Sequence, residues 1–140
     1  MTRSGNTLQM SITPDATGKE GYIVTRSGVD AVSLVTGAMD DPLGVIVSVA
    51  PGGLKVEVQV DGVCRISVGA AGLTAATSDR LMSDLNGQAT DFFAGAGNYQ
   101  IGRMMRASQN FAADDLVEFL VDIHEDLGAG PPPPPAPPQI

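Results

Sequence analysis

The sequence predicts an all-β domain, and three observations carry that expectation. Its 140 residues include 17 glycines and only 17% charged residues, so the Lys- and Glu-rich composition of a helical bundle is missing. Short β-branched runs recur between turn residues, and several alternate apolar and polar side chains with period two. The intervening turns carry dipeptides that favour tight reversals, Asp61-Gly62 and Asn86-Gly87 among them. The length suits one domain with short tails, burying roughly two-thirds of its unfolded surface.

Residues 1–19 are read as an N-terminal arm. Leu8, Met10 and Ile12 alternate with Gln9, Ser11 and Thr13, which gives an extended stretch one apolar face. No turn brings this face back onto a core, so it either orders against something else or frays. The β-rich domain is expected over residues 20–127. Gly21 to Arg26 and Val29 to Thr36 are strands joined at Ser27-Gly28. Asp40-Asp41-Pro42 turns into Leu43 to Val49, where Val45, Val47 and Val49 share a face. After the break at Pro51-Gly52-Gly53, Val56, Val58 and Val60 alternate with Lys55, Glu57 and Gln59, the pattern of a half-buried strand. Asp61-Gly62 is expected to join it to Val63–Val68 as a type I′ hairpin, whose two central residues need positive φ.

Gly69 to Ser78 reads as a loop apart from Leu73. Asp79 to Asp84 and Gln88 to Phe92 pair around Asn86-Gly87, residues 94–98 form a flexible loop, and Tyr99 to Arg106 resumes strand character. The stretch Asp114 to Leu127 admits two spacings. Leu116, Leu120, Ile123 and Leu127 fit a helix, whereas Val117, Phe119, Val121 and Ile123 fit a strand. Strand is preferred for its β-branched and aromatic content, and because a helix would place carboxylates at its negative end. Residues 128–140 form a Gly/Pro-rich tail, a polyproline II projection that serves as a spacer or as a ligand for an aromatic-lined groove.

A net charge of −8 opposes binding to a phosphate backbone, so no direct nucleic-acid partner is expected. Asp114, Asp115, Glu118, Asp122, Glu125 and Asp126 supply −6 of it without a basic residue among them. They form either a solvated face or a surface that docks on a basic partner. The longest apolar runs fall far short of the roughly 18 residues of a membrane span, and no apolar segment follows the first residues, so a soluble chain without a membrane partner is expected. Cys64 is the one cysteine, which excludes an internal disulfide, and it reads as a small packed side chain. His124 reads as a surface residue of the last strand.

No catalytic constellation, metal site or cofactor site stands out, and the chain is read as a non-enzyme. Soft ligands are too few for zinc. The pairs Asp40-Asp41 and Asp114-Asp115 would point to opposite faces of a strand. Ala94-Gly95-Ala96-Gly97 lacks the Lys-Ser/Thr of a phosphate loop. Met82, Met104, Met105, Phe92, Phe93 and Phe111 fill the core or, alternatively, supply a seam between copies, for which Met104, Met105 and Phe111 are the named candidates.

The order of these pieces resembles the capsid cement, or head decoration, proteins of tailed bacteriophages. The resemblance is carried by Gly21-Tyr22-Ile23-Val24, by Pro42-Leu43-Gly44-Val45-Ile46, and by Val56 to Val68 with its Asp61-Gly62 turn. It continues through Gly69-Ala70-Ala71-Gly72 with Ser78-Asp79-Arg80-Leu81, then Asn86-Gly87-Gln88-Ala89, Ile101-Gly102 with Ala107-Ser108, and Asp114-Asp115-Leu116-Val117. Each piece is a generic β-turn pattern, and the likeness lies in their sequence and spacing over about three-quarters of the chain. Ser78, where glycine is commoner, and the bulky Met104-Met105 depart from the pattern.

The resemblance implies a small β-barrel or β-tulip domain, often a homotrimer, that binds the major capsid protein on the outer surface of the head shell and stabilises it. Leu8, Met10 and Ile12 are the candidate capsid-binding residues of the arm. The alternative is a β-barrel binding module for a carbohydrate or protein ligand, with Phe92, Phe93 and Tyr99 as a stacking platform beside the 94–98 loop.

Overall fold

The computed structural model describes residues 5–37, 39–74, 80–92, 97–105 and 110–125. The expected loop at 94–98 falls mostly outside them, as do Phe93 and the polyproline tail. The described residues are all β, in twelve strands: β1 (Thr7–Ile12), β2 (Ile23–Gly28), β3 (Ala31–Leu34), β4 (Gly44–Val49), β5 (Lys55–Gln59), β6 (Gly62–Ser67), β7 (Leu73–Thr74), β8 (Arg80–Ser83), β9 (Ala89–Asp91), β10 (Tyr99–Met104), β11 (Asn110–Phe111) and β12 (Leu116–Glu125). None of these residues forms a helix long and apolar enough to cross a membrane.

The first five strands close into a barrel in the order β1-β3-β2-β4-β5. A five-stranded sheet, β6-β12-β10-β8-β9, forms a second layer, and β7 pairs with β11. The barrel seam at β1–β3 is parallel, and the other barrel pairs are antiparallel. Inside the barrel, Met10, Ile12, Val24, Val32, Ile46, Val56 and Val58 form one apolar cluster. A second cluster joins the layers. Ile23, Val35 and Val45 from the barrel segment meet Cys64, Ile66, Leu81, Ile101, Val117, Phe119 and Val121 of the sheet.

Strand β4 serves both clusters. Val45 and Val47 pack toward the inter-layer core, whereas Ile46 and Val49 pack in the barrel. The register shift between Ile46 and Ser48 explains why Val49 leaves the face it was expected to share with Val45 and Val47, since an extra residue reverses the alternation beyond it. The turn after β4 closes with Gly53 N–H donating to Ala50 O at 3.0 Å. A Cβ on Gly53, whose φ is +76°, would lie 1.7 Å from Asp15 Oδ1, so only glycine fits.

Several expected elements stand. β2 and β3 form the expected hairpin, although its turn falls at Val29-Asp30 and Ser27-Gly28 end β2, and β8 and β9 form the one around Asn86-Gly87. In the latter, Asp84 Oδ1 accepts the backbone N–H groups of Asn86 and Gln88 at 2.8 and 3.0 Å, a local side-chain bond that shapes the turn. β12 is a strand, with Val117, Phe119 and Val121 buried and the residues between them exposed.

Two expectations are corrected. Asp61-Gly62 does not make a hairpin, because β5 spends both edges on β1 and β4 while β6 pairs with β12. The chain instead crosses between layers there, and Gln59 Nε2 spans the crossing by donating to Asp61 O and Val63 O, each at 2.9 Å. The segment expected to be an arm is a barrel strand, with five register pairs from Thr7↔Gln59 to Ser11↔Lys55. Met10 and Ile12 of its period-two face point into the barrel, while Leu8 stays exposed.

Candidate functional site

A groove of about 600 Å³ lies over the outer wall of the barrel. Gln9 and Ser11 of β1, Lys55 and Glu57 of β5, Ser48 of β4 and Asp30 from the β2–β3 turn line it. Alternation along β1 and β5 turns Gln9, Ser11, Lys55 and Glu57 outward, and the buried Met10 and Val56 between them complete the lining. The groove carries both charge signs and amide groups, a surface suited to hydrogen-bonding an extended peptide.

One strand edge beside the groove is available. Among the described residues, the pairing of β1 with β3 begins only at Ser11↔Ala31, where Ser11 N–H donates to Asp30 O at 2.8 Å. Thr7 to Met10 therefore have ladder partners on β5 alone. A half-paired edge can accept an added strand.

The candidate arm residues separate in the structure. Met10 and Ile12 are buried in the barrel and cannot touch a partner while it stays closed. Leu8, opposite Val58, remains partly exposed. The candidate seam separates too. Met104 is buried in the inter-layer core and Phe111 packs against that core, so only Met105 offers open apolar surface. Met82 is buried as well. Phe92 is buried and its ring lies 4.0 Å beneath the Arg80 guanidinium carbon, which removes it as an open stacking platform.

Cys64 is fully buried opposite Phe119, while His124 lies on the other face of β12. The two cannot form a nucleophile–base pair. Among the described residues no group of three or more His, Cys, Asp or Glu side chains is placed to hold a metal ion.

The outer face of the second sheet carries the remaining chemistry. Arg80 Nε donates to Gln100 Oε1, and Gln100 Nε2 donates to Asp122 O at 3.0 Å and to Asp122 Oδ2 at 3.2 Å. The other Asp122 oxygen lies 3.7 Å from His124 Nδ1. The acidic stretch is thus divided by local structure. Asp114, at φ +66°, accepts from Gln88 Nε2 at 3.0 Å, and Asp115 accepts from Ala112 N–H at 3.0 Å, so both hold turns. Glu118 and Asp122 face outward with Leu116 and Leu120.

Sequence reasoning missed those two leucines as surface residues because their spacing also fits a helix. The available signal was parity: once Val117, Phe119 and Val121 fill the core, Leu116 and Leu120 must lie on the opposite face. Compared with family models and with curated proteins, the chain matches none.

Proposed function

We propose that this protein is a capsid decoration protein, binding the major capsid protein on the outer surface of an assembled phage head in three-fold sets and stabilising the shell. The observation that carries the reading is the order of turn motifs from Gly21 to Val117, which resembles that of cement proteins and runs through one all-β unit with a closed barrel and a shared core. A clamp on a shell gains nothing from bending. A closed barrel supports that role because its curvature is fixed by complete pairing.

The groove beside β1 is the surface assigned to the shell. An extended segment of a capsid subunit laid along Thr7 to Met10 gains backbone hydrogen bonds from the half-paired edge and side-chain contacts from Gln9, Lys55 and Glu57. Each such contact is modest, and several copies acting together bind with avidity. The role predicted for the N-terminal segment is thereby kept, but it passes from buried side chains to the strand's edge and outer face.

The test is co-sedimentation of the purified chain with undecorated head shells over a range of salt. Pelleting with shells, and its weakening in a Gln9→Pro variant that disrupts the edge, is the expected result. A chain that stays in the supernatant at every salt concentration overturns the proposal.

A further inference from the structure

The inner face of the β6-β12-β10 sheet is covered by the inter-layer core, while on its outer face Leu116, Glu118, Leu120 and Asp122 of β12 are exposed together with Arg65, Arg103 and Met105. A sheet face that meets only water is ordinarily polar. Here Leu116 is 48% exposed, Leu120 40% and Met105 53%, and half-buried Val63 stands directly opposite Leu120. Met105 joins this group through its N–H, which donates to Glu118 O at 3.4 Å. Leu116, Leu120 and Met105 therefore surround Glu118, within the diagonal reach of cross-strand neighbours.

The charges on this face are ordered. The central strand, β12, presents Glu118 and Asp122. Arg65 on β6 lies opposite Glu118, and Arg103 on β10 lies opposite Leu120. Two positive and two negative groups cancel on this face, in a chain whose net charge is −8. Two copies repel each other over most of their surfaces, and least here. A strongly basic partner would meet the two arginines, and a strongly acidic one the two carboxylates. A second copy offers both signs in the same columns. Laid face to face and displaced by a single strand spacing of about 4.8 Å, two copies bring the Arg65 of each over the Glu118 of the other.

We propose that the outer face of β6-β12-β10 is where two copies of this chain meet, with Leu116 and Leu120 packing across the contact while the Arg65 of each copy pairs with the neighbour's Glu118. A face that meets its own copy makes a two-fold contact, so this pairing goes beyond the three-fold sets proposed for the shell. Its test uses no shell, so its failure is distinct from a failure of shell binding.

The experiment is sedimentation equilibrium on the full chain over a wide concentration range, for the native sequence, Leu120→Lys and Glu118→Arg. The expected result is an oligomer that each variant weakens at least about tenfold in dissociation constant. Combining Glu118→Arg with Arg65→Glu should recover part of the loss. Thermal melts check that the fold survives, and Leu116→Lys replaces Leu120→Lys if the latter does not fold. A native chain that is monomeric at every concentration overturns the proposal. So does an oligomer that none of these variants weakens.

Discussion

Asn6 and Asp61 are joined by two hydrogen bonds across 55 residues of sequence: Asn6 N–H donates to Asp61 Oδ1 at 2.5 Å and Asn6 Nδ2 to Asp61 Oδ2 at 2.9 Å. Val60 N–H adds a third link, to Asn6 O at 3.0 Å. The start of β1 is thus tied to the point where the chain leaves the barrel for the second layer. Both side chains are exposed, so water competes for them and the net contribution is small.

Replacing Asp61 with alanine should accordingly cost about 1 kcal/mol. The measurement is the urea midpoint, which should fall while the m-value holds, because the surface exposed on unfolding is unchanged. An unaltered midpoint would mean that β5 pairing alone holds β1 in place.

Gly102 gives a larger expected effect. A Cβ there would lie 2.1 Å from Leu120 O and 2.7 Å from the Phe119 ring, and neither neighbour can retreat from a paired strand or a packed core. Gly102→Ala should destabilise by about 1–3 kcal/mol, the usual range for overpacking, with the upper end favoured because backbone is struck. Thermal unfolding checks this, and a melting temperature equal to the native one would show that β10 and β12 can separate at little cost.

These two sites also indicate what could be read from the chain alone. The β8–β9 and β2–β3 hairpins were legible because each pairs residues close in sequence, although the second turns at Val29-Asp30 and not at Ser27-Gly28. β12 was legible because burial on one face imposes Val117, Phe119 and Val121 at period two. The fate of Asp61-Gly62 was not, since a local turn signal cannot report that both edges of β5 are already occupied by β1 and β4. Leu8, Met10 and Ile12 gave the correct periodicity and the wrong destination for the same reason. Leu8 and Met10 pair with Val58 and Val56 of β5 and Ile12 with Val32 of β3, all distant in sequence, and alternation identifies an apolar face without naming what covers it. At the candidate surfaces, Met104 and Met105 were indistinguishable by type, and only the register Met104↔Phe119 separates the buried one from the exposed one.

Cys64 offers a direct probe of the inter-layer core. Its side chain is fully buried between the layers beside its cross-strand partner Phe119, so a thiol reagent should modify the native protein only as fast as the layers open. Labelling should be complete in denaturant and nearly absent in buffer. Phe119→Ala should accelerate it, because the cavity left by a buried phenylalanine costs about 3–5 kcal/mol of stability. Rapid labelling of the native chain would contradict the packing described for this core.

Asp15 supplies a pH-dependent prediction at the β1–β2 connection. Its Oδ1 accepts the Thr17 hydroxyl at 2.6 Å and the Thr17 N–H at 2.7 Å, bonds that hold its carboxyl below the ordinary value of 3.8. A lowered folded value means that the native state binds this proton less readily than the unfolded chain. The associated stability is present above 3.8 and is lost as pH falls through the folded value. Asp15→Asn should therefore lower the urea midpoint at neutral pH, and the gap to the native protein should narrow at pH values well below 3.8. Because Asp15 is exposed, the effect is small and requires both pH conditions to be read side by side. A gap of equal size at both would assign the cost to lost geometry against Gly53 rather than to the carboxylate's charge.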